Sequence, residues 1–314
     1  MSQIKLIPTK LKGKVSVPPS KSLAHRAIIA ASLAKGISRI DHIEYSQDIK
    51  ATIGAMEALG TIIEQHEDYL IINGNYTFTK NNTMPGVQID CEESGSTLRF
   101  MVPISLVKEN KVRFIGRGQL GKRPLDTYYE IFERQNIGYL YRDNVLDLNV
   151  VGELKPDLYR IPGNISSQFI TGMLFALPLL NGDSEIIMTS ALESKPYADM
   201  TIKCLNTFGI EITETEKGYF IKGNQKYKPK NIVVEGDYSQ AAFFYVANIL
   251  GNDIRINNLM ENSLQGDKKI VEITRNLCYN KNNEPNGFSI NAADIPDLVP
   301  ILGVLGTFCQ GKSL

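Results

Sequence analysis

The chain has 314 residues, 43% hydrophobic and 22% charged, enough for two domains with substantial cores and a polar surface. Lysine plus arginine and aspartate plus glutamate balance at 34 each, which argues against nucleic-acid or membrane-surface binding, since both need excess positive charge. Any anion binding therefore has to come from local sites. Cys91, Cys204, Cys278 and Cys309 are widely spaced with no CxxC pair, and the three histidines lack ligand spacing. Reduced thiols, no disulfide framework and no metal are the expectations. The stretch MSQIKLIPTKLKGKV alternates apolar and basic residues and lacks a signal-peptide core. The longest apolar run, residues 169–180, is broken by Thr171, Gly172 and Pro178. It is too short to span a bilayer and reads as a buried helix. A cytoplasmic location is expected.

In chain order, VSVPPSKSLAHRAIIAASLAKG reads as a strand, a turn and an apolar helix. An amphipathic helix follows, with Ile49, Ile53, Met56 and Leu59 on one face. It ends at Gly60, and a polar strand, a turn and an apolar strand (69–72) lead to Gly74. The same pair of elements recurs twice. QIDCEESGSTLRFMVPISL precedes LDTYYEIFERQNIG, with a hairpin running from Gly138 to Gly152 and a period-2 strand at 145–150. YRIPGNISSQFITGMLFALPLLNG precedes the helix bearing Ala198, Ile202, Leu205 and Phe208, with glycines at 209 and 223. In all three units the two glycines are 14 residues apart, which predicts a duplicated βαβαββ-like unit of about 70 residues. The first glycine of each pair fits a left-handed position just after a helix. IVVEGDYSQAAFFYVANILG and SINAADIPDLVPILGVLGTFCQG supply a fourth and a fifth apolar helix, separated by a divergent segment, 268–291. Being apolar nearly all round, all five helices are expected to be buried.

The chemistry-bearing residues gather where these helices begin. Ser20, Lys21, Ser22 and Arg26 open the first, and Ser94, Gly95, Ser96 and Arg99 the second. Ser166, Ser167 and Gln168 open the third, Asp237, Tyr238 and Ser239 the fourth, and Asp294 and Asp297 the fifth. Free N–H groups and a partial positive charge make a helix N-terminus favourable for anions. Taken singly, each Ser or Asp is an ordinary N-cap. Lys21 and Arg26 are harder to explain that way, because a cation beside a buried helix needs a partner. Arg99 reads either as a structural ion pair or as a ligand cation, and Asp297 either as a cap or as a functional carboxylate. The loop GRGQLGKRPLD (116–126) carries Arg117, Lys122 and Arg123; it is a candidate phosphate or carboxylate clamp, or else a solvated hairpin tip. Ser194, Lys195, Pro196 and Tyr197 read as a capping turn.

In this order the motifs PPSKSLAHRAIIAASLAKG, ESGSTLRF, GKRPLD, ISSQFITGML, SKPYADMT, GDYSQAAFF and DIPDLVPILG resemble the enolpyruvyl transferases, and most closely the EPSP synthase family. The resemblance implies a two-domain, inside-out α/β assembly of repeated βαβαββ units with buried helices. Residues 18–230 would form a complete three-unit domain, and residues 1–17 with 231–314 a second domain missing its C-terminal part. It implies transfer of the enolpyruvyl group of phosphoenolpyruvate to the 5-hydroxyl of shikimate 3-phosphate, with release of phosphate, by a monomer needing no cofactor. By motif, Ser22, Arg26, Ser166, Ser167, Ser194 and Tyr197 would hold shikimate 3-phosphate, and Gln168 would lie near both substrates. Lys21, Gly95 and Arg123 would contact phosphoenolpyruvate. Asp297 would bind the shikimate hydroxyls and take the 5-hydroxyl proton.

Two departures accompany the resemblance. Glu93 and Ser94 stand in place of an Asn-containing turn. A Lys-Glu-Ser/Thr-Asp-Arg motif and a later His-Arg pair of the family are absent, so the chain is expected to be a fragment that binds shikimate 3-phosphate weakly and turns over little. The sister enzymes acting on UDP-N-acetylglucosamine commonly carry a catalytic Cys in the mobile loop, and residues 116–126 contain none. A noncatalytic anion-binding module is the remaining alternative.

Overall fold

The computed structural model describes residues 4, 5, 7, 9–74, 86–108, 110–142, 144–281 and 284–314. Positions 1–3, 6 and 8 of the N-terminal stretch, 143 in the second hairpin and 282–283 in the divergent segment lie outside these. Strand β1 (Lys12–Ser16) leads into α1 (Lys21–Leu33), β2 (Ile37–Asp41), α2 (Gln47–Ala58), β3 (Ile62–Gln65) and β4 (Tyr69–Asn73). The second unit is β5 (Val87–Asp90), α3 (Gly95–Ser105), β6 (Asn110–Ile115), α4 (Asp126–Gln135), β7 (Gly138–Arg142) and β8 (Val145–Gly152). The third is β9 (Leu158–Ile161), α5 (Ser167–Ala176), β10 (Ser184–Met188), α6 (Lys195–Thr207), β11 (Ile212–Thr215) and β12 (Gly218–Ile221). Then follow β13 (Ile232–Val233), α7 (Tyr238–Ile249), β14 (Asp253–Asn257), α8 (Lys269–Arg275) and α9 (Val299–Thr307).

The repeat is visible in the pairing. Three four-stranded sheets share one order: β13-β2-β4-β3, β5-β6-β8-β7 and β9-β10-β12-β11. In each, the first two strands run parallel and the remaining pairs are antiparallel. The parallel pair needs a crossover, which the buried helix supplies in the second and third units, and the antiparallel pair closes as a hairpin. In the first sheet the outer parallel strand is β13, whereas β1, which directly precedes α1, pairs in parallel with β14. The chain accordingly divides into a larger unit, Lys21–Val234, and a smaller one made of the segments up to Ser20 and from Glu235 to Leu314.

Helices α1, α3 and α5 form the middle of the larger unit. Ala24–Leu33 of α1 are all buried, as are nearly all of α3 and α5. Side chains such as Phe100, Phe169 and Phe175 are fully enclosed, each contributing about 1.5–3 kcal/mol by apolar burial. Helices α3 and α5 pack closely because Gly172 has no side chain: a Cβ there would stand 2.4 Å from the Arg99 carbonyl oxygen.

Two local expectations are corrected. Gly60 (φ 98°) and Gly209 (φ 81°) do follow α2 and α6 in the left-handed region, but Gly138 does not. In the second unit Asn136 (φ 55°) makes that turn after α4, and Gly138 begins β7; asparagine is the side chain that best tolerates the left-handed region after glycine. Helices α7 and α9 are also not buried all round: α7 buries Tyr238, Ala241, Ala242 and Val246, and α9 buries Ile301, Leu302 and Leu305, while Phe243, Val299 and Val304 are exposed. The described part of the smaller unit has a two-stranded sheet, β1–β14, and a compact cluster around Ile270, Leu298 and Leu305.

Candidate active site

In the larger unit the starts of α1, α3, α5 and α6 carry nine of the eleven residues assigned to the substrates by resemblance, and a tenth, Arg123, lies in the loop before α4. Lys21 is the first residue of α1, and its Nζ donates to Asp48 Oδ2 of α2 at 2.7 Å while the side chain stays 54% exposed. Arg26, on the same helix, points inward and is 2% exposed. Its Nε donates to Thr201 Oγ1 (2.9 Å), Nη1 to the Ser22 carbonyl (2.7 Å) and Nη2 to the Tyr197 carbonyl (3.0 Å), with Thr171 Oγ1 at 3.4 Å. The guanidinium also lies 5.6 Å from the Phe100 ring centre and 6.0 Å from that of Tyr197. Among the described residues every hydrogen-bond partner of Arg26 is uncharged. Burial pushes its guanidinium down to about 10, so it remains protonated at neutral pH. Among the described residues this cation has its hydrogen bonds but no counter-charge.

A second cationic group lies at the start of α3. Ser94 caps the helix by accepting from Thr97 N at 3.1 Å. The next residue, Gly95, leaves room for Arg123: a Cβ on it would stand 2.2 Å from Arg123 Nη1. Arg99, one turn into α3, is 7% exposed and makes no ion pair among the described residues, correcting the ion-pair expectation. Its Nη1 donates to Gln168 Oε1 at 2.8 Å and Nη2 to the Pro124 carbonyl at 3.2 Å, over the Phe169 ring. Gln168 Nε2 in turn donates to Ser96 Oγ at 2.9 Å. Burial, and secondarily the like charge of Arg123, hold the Arg99 guanidinium below its usual range. The loop of residues 116–126 is not uniformly available as a clamp: Arg117 is neutralised by Glu92 at 2.9 Å and Asp90 at 3.2 Å. Lys122 and Arg123 are exposed.

The start of α5 contributes Ser166, whose hydroxyl accepts from Gln168 N at 3.3 Å, and Ser167, which is buried. At α6 the capping-turn expectation fails. Ser194 precedes the helix in a left-handed conformation (φ 57°, ψ 36°) and its side chain makes no cap hydrogen bond. A non-glycine residue held there is strained, as at many ligand-binding turns. Tyr197 offers its carbonyl to Arg26 and to Thr201 Oγ1 (2.8 Å). Lys195 is engaged by Asp199 and Glu214, which raise its pKa.

Asp297, the eleventh residue, belongs to the smaller unit, in the turn Pro296–Leu298 before α9, and is exposed. In the same unit Asp237 caps α7 by accepting from Gln240 N at 3.0 Å. Asp267 is buried there: it accepts from Ser239 Oγ through Oδ2, and its Oδ1 has no partner among the described residues. Burial, with the charges of Asp297 and Asp237, pushes its carboxyl up to about 6.

Several of these residues escaped the sequence reading. Thr171 and Thr201 hold Arg26, and each lies four residues beyond a singled-out Ser167 or Tyr197, so helical spacing from those residues was the available signal. Asp48 was signalled by the need of Lys21 for a partner. His25 carried no signal beyond its type: fully buried, it sits 2.7 Å from Thr52 Oγ1, which is 2.7 Å from Thr97 Oγ1. Among the described residues no group of three or more metal-ligating side chains converges.

With this geometry established, comparison with known proteins is specific. The family model for EPSP synthase (3-phosphoshikimate 1-carboxyvinyltransferase) matches residues 6–314. The chain belongs to the EPSP synthase family. It is 52% identical over 330 aligned positions to a 3-phosphoshikimate 1-carboxyvinyltransferase of Clostridioides difficile, covering 100% of this chain and 76% of that protein. A Clostridium perfringens protein of the same description is 50% identical at the same coverage. Among solved structures, an EPSP synthase from Acinetobacter baumannii superposes with a TM-score of 0.77 at 21% identity, over 97% of this chain and 73% of that one. The enolpyruvyl transferase NikO from Streptomyces tendae gives 0.70 at 13% identity, over 97% and 74%. Those two structures share the fold, and the EPSP synthase family relationship rests on the sequence matches. The described residues contain no helix long and apolar enough to cross a membrane.

Proposed function

We propose that this EPSP synthase family chain transfers the enolpyruvyl group of phosphoenolpyruvate to the 5-hydroxyl of shikimate 3-phosphate and releases phosphate. The observation carrying the reading is the family match over residues 6–314, joined to a set of cations gathered at helix starts in a chain of zero net charge. Both substrates carry a phosphate and a carboxylate, so fixed cations are the chemistry they require.

In this reading Ser22, Arg26, Ser166, Ser167, Ser194 and Tyr197 hold shikimate 3-phosphate, with Arg26 supplying the buried counter-charge. Lys21, Gly95 and Arg123 receive phosphoenolpyruvate, and Gln168 lies near both. Asp297 binds the shikimate hydroxyls and takes the proton of the 5-hydroxyl. That oxygen bonds to C2 of phosphoenolpyruvate as C3 is protonated, giving a tetrahedral adduct. Loss of a proton from C3 and cleavage of the C2–O bond to phosphate then restore the double bond. The steps need a base near the hydroxyl and an acid near C3, with cations steadying both anions. The residues and roles rest on motif resemblance and are supported by the uncompensated charges of Arg26 and Arg99.

Calorimetric titration tests the reading. Shikimate 3-phosphate is expected to bind, and phosphoenolpyruvate to bind more tightly once it is present. Binding of UDP-N-acetylglucosamine in its place, or equal phosphoenolpyruvate affinity with and without shikimate 3-phosphate, would contradict it.

A further inference from the structure

Arg99 is singled out by the sequence, but the reading above gives it no substrate to hold. Its side chain is almost wholly buried, its Nε has no partner among the described residues, and no carboxylate pairs with it there. A guanidinium left in this state costs stability, so its role must lie in what its remaining N–H groups hold. They hold two things. Nη1 donates to the side-chain oxygen of Gln168, and Nη2 donates to the carbonyl of Pro124, the residue after Arg123.

The first contact decides which way Gln168 faces. A guanidinium has only donors, so the Gln168 atom 2.8 Å from Nη1 has to be the oxygen. The amide NH2 is thereby turned to the other side, where one hydrogen reaches Ser96 Oγ at 2.9 Å and the second is left to donate elsewhere. Had the amide been reversed, its NH2 would face a cation and its oxygen would face the α3 start. An oxygen there would repel the carboxylate or phosphate of an incoming anion, whereas an N–H attracts it. The second contact fixes the backbone beside Arg123, whose guanidinium packs against Gly95. Arg99 thus ties the start of α5 and the loop before α4 to α3, the helix whose first residue is Gly95.

We infer that Arg99 is a positioning residue for anion binding at the start of α3: it locks the Gln168 amide with its NH2 toward Ser96 and holds the Pro124 carbonyl that anchors the Arg123 loop. As a statement about phosphoenolpyruvate the inference rests on the function proposed above; as a statement about the Gln168 amide it does not.

Two variants and two readouts test it. Arg99→Lys keeps the charge, but one ammonium cannot serve Gln168 and Pro124 with the planar fork of arginine. Arg99→Met removes charge and donors together. The first readout is hydrogen exchange of the Gln168 side-chain amide by NMR. The second is phosphoenolpyruvate affinity in the presence of shikimate 3-phosphate. In the wild type the Gln168 NH2 hydrogen donated to Ser96 is expected to give a resolved, slowly exchanging signal. In Arg99→Lys it is expected to exchange at least about tenfold faster, with affinity about tenfold weaker, the scale of losing one charge-assisted hydrogen bond. Arg99→Met is expected to lose more of both. If Arg99→Lys matches the wild type in amide protection and in affinity, charge alone suffices and the inference is overturned. An unchanged amide with weakened binding overturns it as well, since Arg99 would then act directly on the anion. Should the wild type bind no phosphoenolpyruvate, the proposed function fails while the amide measurement still decides the role of Arg99. Should Arg99→Met not fold, Arg99→Lys alone separates the outcomes.

Discussion

Arg123 occupies the space that a side chain on Gly95 would take, its Nη1 lying 2.2 Å from the position of the missing Cβ. The clash that any larger residue would cause involves the far end of a flexible side chain. Gly95→Ala is therefore expected to leave stability within about 1 kcal/mol of the wild type, the range of substitutions that disturb no packed core. Its consequence falls on Arg123, which must swing away from the start of α3. Phosphoenolpyruvate affinity is expected to fall about tenfold or more, as when one charge-assisted contact is lost. Paired calorimetry and chemical denaturation check both halves; equal affinity in Gly95→Ala would mean that Arg123 does not serve the ligand from this position.

Arg26 makes the opposite case, where stability and binding fall together. Removing its side chain takes the guanidinium donors away from the Ser22 and Tyr197 carbonyls and from Thr201 Oγ1. Arg26→Ala is expected to destabilise the larger unit by about 2–4 kcal/mol, through lost hydrogen bonds and the cavity left behind. The unfolding transition of that unit, followed by denaturant titration, reads the loss. A change under about 0.5 kcal/mol would contradict the buried network.

His25 gives a pH signature. Burial pushes its imidazole down to about 3, whereas in the unfolded chain it titrates near 6.5. Between these values the unfolded state binds the extra proton, so stability is lost as pH falls through this window. By pH 4.5 the loss from this residue alone is expected to be about 2.5 kcal/mol. Comparing the denaturation midpoints of wild type and His25→Asn at pH 7 and pH 4.5 isolates it. The variant is expected to lose less on acidification, and identical acid slopes would show that His25 is not held neutral by burial.

Asp267 carries the opposite sign. Its carboxyl is pushed up to about 6 by burial, above the unfolded value near 3.9. The stability it contributes is present below the unfolded value and lost as pH rises through about 6. Asp267→Asn is expected to stabilise the smaller unit at pH 8 by about 1–3 kcal/mol, with the advantage vanishing below pH 4. Thermal melts at both values provide the check, and an equal difference at pH 8 and pH 4 would contradict the assignment.

The parts legible in the sequence were local. Glycine pairs 14 residues apart mark units that recur as three sheets of identical strand order, and Ser94, Ser166 and Asp237 cap their helices as their residue types dictate. What could not be read depends on distant partners. β1 pairs with β14 while β13 completes the first sheet, and VSV and IVV are equally good parallel edges by composition. Thr201 meets Arg26 across 175 residues of chain, and no periodicity encodes that distance. Arg99 looked like half of an ion pair because its type and position suit one; the structure gives it an amide and a carbonyl instead. Ser194 looked like a cap until its backbone proved left-handed, a conformation its side chain does not announce.

We propose that shikimate 3-phosphate rests on the starts of α1 and α5 in the larger unit. Equilibrium titration of shikimate 3-phosphate into the wild type and into the double variant Ser22→Ala/Ser167→Ala tests it most directly. Two lost hydrogen bonds to charged oxygens are expected to weaken binding at least about a hundredfold while the fold is retained. Unchanged affinity in a folded double variant would place the ligand elsewhere and contradict the account.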